Sequence, residues 1–265
     1  MKKGIFKKIT WAGIIFSGWV LTIHQIFPND VASNSGTQEF IQNTQFTSFS
    51  AAKRALYKLE LPRFTFYCEC PYSEKREVDQ LSCGFTTTRY LNRASVVEAE
   101  HVVPASKLCG KTRQWLEGSP ECISKNKPYK GRKCAEKHNI ICKRAHNDLH
   151  NLRPAVGAIN AVRSNHEFGT GLAPKNQFGT CEFSDENKIS NPADNLLGNI
   201  ARVYLFMHYT YTELDILTGE EIKRYEKWSR QDVVSEQECK RNDLIFEVQH
   251  TYNEITRQEC NKAGL

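Results

Sequence analysis

Apolar and polar positions change period several times along the chain, and each change marks an element. The first apolar run, Ile9 to about Phe27, is nearly continuous and broken only by Ser17, Thr22 and His24. Lys2, Lys3, Lys7 and Lys8 precede it and Val31-Ala32-Ser33 follow, which is the pattern of a secretory signal peptide cleaved near Ser33. An N-terminal anchor is the alternative, because the run is long for a signal and no Ala-x-Ala closes it. Residues 34–48 are polar and read as a flexible spacer. Ala51, Ala52, Ala55, Leu56 and Leu59 then recur at helical spacing, predicting an amphipathic helix over 49–60 that Pro62 stops. Phe64–Cys68 is aromatic and predicts a strand, followed by loop and hairpin to residue 93. Val96, Val97, Val102 and Val103 are β-branched and predict a second strand, ended by Pro104.

Residues 105–140 are rich in Lys, Gly, Pro and Asn and predict a long loop with a short helix near 114–117. Loops of that length in a compact domain tend to be functional. A helix is expected over 144–150, a short strand over 150–154, and a helix over 157–165. Residues 166–193 show little periodicity. Leu196, Leu197, Ile200, Ala201, Tyr204, Met207 and His208 mark an amphipathic helix, with two more near 219–230 and 235–249. There is no internal repeat, and no later stretch is long and apolar enough to span a membrane. The expected architecture is one domain over 49–265: α+β, mainly helical, around a small central antiparallel sheet.

Cysteine content sets the compartment. All ten cysteines follow the apolar leader, and an even number in an exported chain implies disulfides formed in an oxidising environment. Cys68-x-Cys70 and the wide later spacings do not match the repeated short pairs of a zinc site. Which cysteines pair is not legible in the sequence.

The formal charge of +6 says less than its placement. Beyond residue 33, 32 basic residues face 29 acidic ones, so the exported chain is nearly balanced. Residues 107–145 hold eleven Lys or Arg against Glu117, Glu121 and Glu136. One basic segment on a balanced protein is an electrostatic footprint for a polyanion, although a charged run is more commonly an ordinary solvated loop.

The chemistry-bearing stretch is Glu98-Ala99-Glu100-His101-Val102-Val103-Pro104. Glu100 is a hard oxygen ligand for Mg²⁺ or Ca²⁺, and His101 titrates near neutrality and accepts a proton from water. Adjacent strand residues face opposite ways, so a twist or bulge is expected where these two meet one site. A metal beside a base suits phosphodiester hydrolysis. The plainer reading is a buried ion pair that only stabilises the fold. His146-x-x-x-His150 has the spacing of a zinc pair but lacks the glutamate of a zincin. Trp115 and Trp228 read as packing residues.

Strand, long loop, strand and helix make a β-β-α unit. Glu100-His101-Val102-Val103-Pro104-Ala105, Gly131-Arg132-Lys133 and Asp148-Leu149-His150-Asn151-Leu152-x-Pro154-x-Val156-Gly157-x-x-Asn160-x-x-Arg163-x-Asn165 resemble bacterial endonuclease I. These are periplasmic or secreted, sugar-nonspecific nucleases of the ββα-metal, or His-Me finger, class. The resemblance covers most of residues 50–260, including Tyr67-Cys68-x-Cys70 and Glu238-Cys239. It implies a ββα-metal motif in the central sheet, with His101 as general base, Arg132 on the scissile phosphate, and Glu100 and Asn160 holding one divalent cation. That cation is Mg²⁺, with Ca²⁺ or Mn²⁺ as alternatives. Asn151 is expected to orient His101 through its backbone, or to replace Asn160 as ligand. Lys125, Lys127 and Lys130 are expected on phosphates further along the strand. The implied partners are DNA and RNA, bound through their phosphates by a monomer without stable membrane association. Two features depart from the family: Gln249–Asn253 lacks its usual Gly and Pro, and the Arg132 loop is longer, with Cys134 and Cys142 added. The reading of another class is an inactive secreted protein that binds polyanions through 107–145.

Overall fold

The computed structural model describes residues 39–59, 62–171 and 175–265. The signal-peptide expectation and residues 34–38 of the spacer lie outside them. Helix α1 (Phe49–Leu59) forms as its periodicity predicts and buries Ala52, Leu56 and Leu59. The short α2 (Leu91–Ala94) leads into strand β1 (Val97–His101). After it come α3 (Ala105–Cys109), α4 (Arg113–Leu116), a hairpin of β2 (Ile123–Ser124) and β3 (Lys127–Pro128), α5 (Arg132–His138) and α6 (Ile140–His146). Strand β4 (Leu152–Val156) runs directly into α7 (Gly157–Arg163). A small sheet follows, of β5 (Glu167–Phe168), β6 (Ser184–Glu186) and β7 (Ile189–Asn191). The chain closes with α8 (Leu197–Thr210), α9 (Gly219–Gln231), α10 (Glu236–Gln249) and α11 (Glu254–Ala263). The fold is α+β and mainly helical, stapled by disulfides.

β1 pairs antiparallel with β4, from Val97 opposite Val156 to His101 opposite Leu152, and the register runs through Glu100 without a bulge. The main core packs Ile159 and Val162 of α7 against α8 and the Tyr225–Trp228 turn of α9. A smaller cluster joins α1 to Leu149, Leu152 and Ile245. α8 was expected to carry one apolar stripe, but Ile200, Ala201, Val203, Tyr204, Leu205, Phe206 and Met207 are all buried. A helix apolar on every face is a core helix. Its buried Arg202 is held by both oxygens of Glu238, at 2.7 and 2.6 Å, and by Glu259 at 3.1 Å, tying α8 to α10 and α11.

Several local expectations give way. Phe64–Cys68 is not a strand: only an isolated bridge, Phe64 to Pro71, forms there. The chain turns because Thr65 N–H donates to Cys70 O at 2.9 Å and Phe66 N–H to Pro154 O at 2.7 Å. The 105–140 segment holds three helices and a hairpin rather than one. The helix expected over 144–150 starts at Ile140, where the Asn139 side chain caps Cys142 N–H, and ends at His146. The aperiodic 166–193 stretch contains β5, β6 and β7, in spatial order β5-β7-β6. α11 was not anticipated, although Asn253 caps its first turn through Thr256 N–H. Residues 39–48 are seated on the fold rather than free: Asn43 is buried, its N–H donating to the Tyr211 hydroxyl at 3.0 Å and its Nδ2 to Arg144 O at 3.2 Å.

All ten cysteines are paired, as Cys68–Cys181, Cys70–Cys83, Cys109–Cys142, Cys122–Cys134 and Cys239–Cys260. Two of these bridges pin the basic segment. Among the described residues no helix is long and apolar enough to cross a membrane.

Candidate active site

The end of β1, the start of α5 and one face of α7 line a cleft of about 580 Å³. Glu100, His101, Arg132 and Asn160 all open onto it, so four residues named from the sequence meet in one place. Asn160 and Arg163 lie three residues apart on α7 and therefore share the helix face turned toward β1.

Arg163 is fully buried and holds the end of β1. It donates to the carbonyls of His101, at 2.7 Å, and Val102, and its guanidinium lies 3.1 Å from Glu100 Oε1. The Tyr67 hydroxyl donates to the same Oε1 at 3.0 Å. Burial pushes the Glu100 carboxyl up to about 7, against the pull of Arg163 and the Tyr67 hydrogen bond.

Asn151 is fully buried and does not open onto the cleft. Its Oδ1 accepts from Val103 N–H at 2.7 Å and its Nδ2 donates to Val103 O at 3.0 Å. Both ends of the amide are thus occupied by backbone two residues past His101.

His101 Nε2–H donates to the backbone carbonyl of His146 at 2.8 Å, which leaves Nδ1 as the lone-pair nitrogen. The two imidazoles stack with centroids 4.2 Å apart, and Phe49 packs on both, at 5.1 and 4.9 Å. Burial pushes His101 down to about 3; the His146 carbonyl opposes this, and Arg132 and Arg163 reinforce it. Burial also pushes His146 down to about 2, with His101 and Arg132 acting the same way. Both rings are neutral at pH 7.

Asn160 Nδ2 donates to Glu98 Oε2 at 2.7 Å, and Arg93 Nε donates to Glu98 Oε1 at 2.7 Å. The approach of α7 to Glu98 depends on Gly157: a Cβ there would stand 2.7 Å from Arg93 O and 2.8 Å from Glu98 Oε1. Arg132 opens α5 just after Gly131, whose φ of +82° suits glycine. Its Nε donates to Glu136 Oε1, which also lies 3.3 Å from His146 Nδ1.

Lys125, Lys127 and Lys130 are exposed on the β2–β3 hairpin and just beyond it, and none of them lines the cleft. The His146–His150 zinc pair does not form. His146 stacks on His101, whereas the buried His150 donates from Nε2 to Thr251 O at 3.0 Å. No group of three His, Cys, Asp or Glu side chains converges among the described residues. Trp228 packs in the core, but Trp115 lines the cleft. Sequence reasoning missed the clamp of Arg163, the Tyr67 and Glu98 contacts, and three cleft cations: Lys53, Arg76 and Arg93. Arg163 stood in the matched motif three residues after Asn160, which was the available signal.

Two oxygen-bearing side chains, Glu100 and Asn160, thus sit beside a neutral imidazole in a cleft ringed by cations. Such a cleft suits an anionic ligand such as a phosphodiester. The chain belongs to the endonuclease I family, whose model matches residues 23–258. It is 31% identical over 227 residues to a periplasmic deoxyribonuclease of Aeromonas hydrophila, covering 83% of this chain and 90% of that one. It is 33% identical over 203 residues to endonuclease-1 of Buchnera aphidicola subsp. Acyrthosiphon pisum (strain APS), covering 75% of each. Over a shorter stretch of 127 residues, 40% of this chain and 42% of the relative, it is 31% identical to an extracellular ribonuclease of Bacillus subtilis (strain 168).

Proposed function

We propose that this chain is an exported, divalent-metal-dependent endonuclease that hydrolyses phosphodiester bonds of DNA and RNA without sequence preference. The observation that carries the reading is the tautomer of His101. Its Nε2–H is committed to the His146 carbonyl, so Nδ1 is the proton acceptor at the cleft. Neutral His101 takes a proton from the attacking water through Nδ1. An anionic phosphate beside it would counter the charges of Arg132 and Arg163, which depress its basicity after burial, the larger cause. Arg132 grips two oxygens of the scissile phosphate, as a planar guanidinium does. Arg163 holds the backbone carbonyls of His101 and Val102 and Asn151 holds both backbone groups of Val103, so Asn151 positions rather than ligates.

Glu100 and Asn160 would hold one Mg²⁺. The donor chemistry fits: the Tyr67 and Arg163 contacts to Glu100 fall on Oε1, and Asn160 turns its Nδ2 to Glu98, which leaves its Oδ1 facing away from that carboxylate. One carboxylate and one amide oxygen leave most of the shell to water and phosphate, as Mg²⁺ prefers. When bound, the cation neutralises charge developing on the phosphate and the leaving oxygen. Phosphate contacts carry no sequence information, which accounts for the lack of preference. Relatives named for deoxyribonuclease and ribonuclease activity agree with action on both sugars, and relatives named periplasmic and extracellular agree with export.

The test is cleavage of supercoiled plasmid and of a long RNA, with and without EDTA. Nicking followed by linearisation, lost in EDTA and restored by excess Mg²⁺, is expected. Binding without cleavage under every divalent cation would return the chain to the inactive polyanion-binding class. Undiminished cutting in EDTA would remove the metal.

A further inference from the structure

Four cations line the cleft away from the buried core, and their counter-charges differ. Arg132 is tied to Glu136, and Arg93 to Glu98. Lys53 and Arg76 have no ion pair among the described residues. Each rests on an aromatic face instead: Lys53 Nζ lies 4.9 Å from the Phe49 ring centroid, and the Arg76 guanidinium lies 5.1 Å from that of Tyr57. A ring face orients a cation without cancelling its charge. The positive potential at these two side chains is therefore left for a ligand.

Both are also fixed to the strand that carries the base. Phe49, under Lys53, packs on His101 itself. Arg76 O accepts from Val97 N–H at 2.9 Å, at the first residue of β1, and Arg76 N–H donates to Ser73 O at 2.8 Å. Arg76 is held there at φ +66°, a left-handed conformation that non-glycine residues rarely adopt and that clusters at functional sites. Two uncompensated cations are thus held at set positions relative to His101, on elements other than the basic 107–145 segment.

We propose that Lys53 and Arg76 form a subsite for non-scissile phosphates of the bound strand, next to the phosphate that His101 and Arg132 address. The inference rests on the nuclease reading of the cleft and adds a second set of contacts to it. It makes a nucleic acid of several nucleotides the fitted substrate, because a single diester has no neighbouring phosphate to fill the subsite.

The experiment is fluorescence anisotropy of a labelled 20-base-pair duplex in EDTA, from 50 to 300 mM salt. It compares the wild type with Lys53→Ala, Arg76→Ala, the double variant and Lys262→Ala. Each cleft substitution should lower the slope of log affinity against log salt by about 0.9, and the double variant by about twice that. Lys262, exposed on α11, should leave the slope unchanged. Lys53→Gln and Arg76→Gln keep much of the packing and serve if the alanine variants fail to fold. An unchanged slope in folded cleft variants overturns the subsite. Plasmid cutting by the wild type is read separately: slope loss without any cutting keeps the subsite and removes the nuclease reading, whereas cutting with an unchanged slope removes the subsite alone.

Discussion

Asn160 donates its side-chain amide to Glu98 at 2.7 Å, and Glu98 is in turn held by Arg93. The carboxylate thereby decides which end of the amide is turned toward it, leaving the oxygen for another partner. Outer contacts of this kind typically contribute 10- to 100-fold to metal affinity. Glu98→Ala should weaken Mg²⁺ and Mn²⁺ binding by about that factor while the thermal midpoint in EDTA changes little. Calorimetric titration with Mn²⁺ reads the first, and a melt reads the second. Unchanged Mn²⁺ affinity would show that Glu98 does not position Asn160.

The base and the arginine should separate kinetically. His101→Ala removes the proton acceptor together with its ring contacts to His146 and Phe49, so single-turnover cleavage should fall by about 10²–10⁴ with duplex affinity intact. Arg132→Ala should lower the saturated rate by about 10²–10³, because charge develops where its guanidinium points. Rates at saturating enzyme, with affinities measured in Ca²⁺, distinguish the two. A change confined to affinity in Arg132→Ala would make it one more positioning cation.

Acid should unfold the metal-free protein in a definite window. His146 is buried and neutral, and its pKa falls from 6.5 to about 2. A base whose folded pKa is depressed contributes stability that is fully present above 6.5 and is lost as the pH falls toward 2, because the unfolded chain binds the proton first. His101 acts with the same sign, and Glu100, raised to about 7, acts with the opposite one, so the two histidines outweigh the single carboxyl. Urea midpoints of the wild type in EDTA should therefore drop between pH 7 and pH 4. His146→Phe keeps the ring stack and should flatten part of that drop. A parallel curve for the variant would exclude His146 as a source.

The bridge Cys122–Cys134 ends two residues after Arg132. Replacing both cysteines by serine should cost roughly 3 kcal/mol of stability, the scale for a loop of this length. It should also slow cleavage more than it weakens binding, because the start of α5 loses its anchor. Urea unfolding and single-turnover rates test both halves.

Much of this site was legible because its chemistry is local. Glu100 and His101 are neighbours in the chain, whereas Asn160 and Arg132 were named only through the resemblance to the endonuclease I family. The remainder depends on tertiary contacts that residue type does not announce. His101 is oriented by a backbone carbonyl, which every residue carries, so nothing marked position 146 for that task. Arg163 is fully buried although arginine is usually a surface residue. Lys53 and Arg76 reach the cleft from α1 and a turn that lie apart from the motif in sequence. The lysines of the exposed hairpin drew attention through local density, whereas the cations lining the cleft are dispersed along the chain.

The separation of β1 from β4 also bears on how the protein assembles. Their ladder closes a loop of about fifty residues, a slow and entropically costly contact for a reduced chain. The Cys109–Cys142 bridge, with a sequence separation of 33, lies wholly inside that loop and shortens its free length by more than half. Each halving lowers the closure cost by about 0.6 kcal/mol. Oxidation of this one pair thus brings the two strands within easier reach, so the thiol chemistry of the insert lowers the entropic cost of the ladder beneath His101.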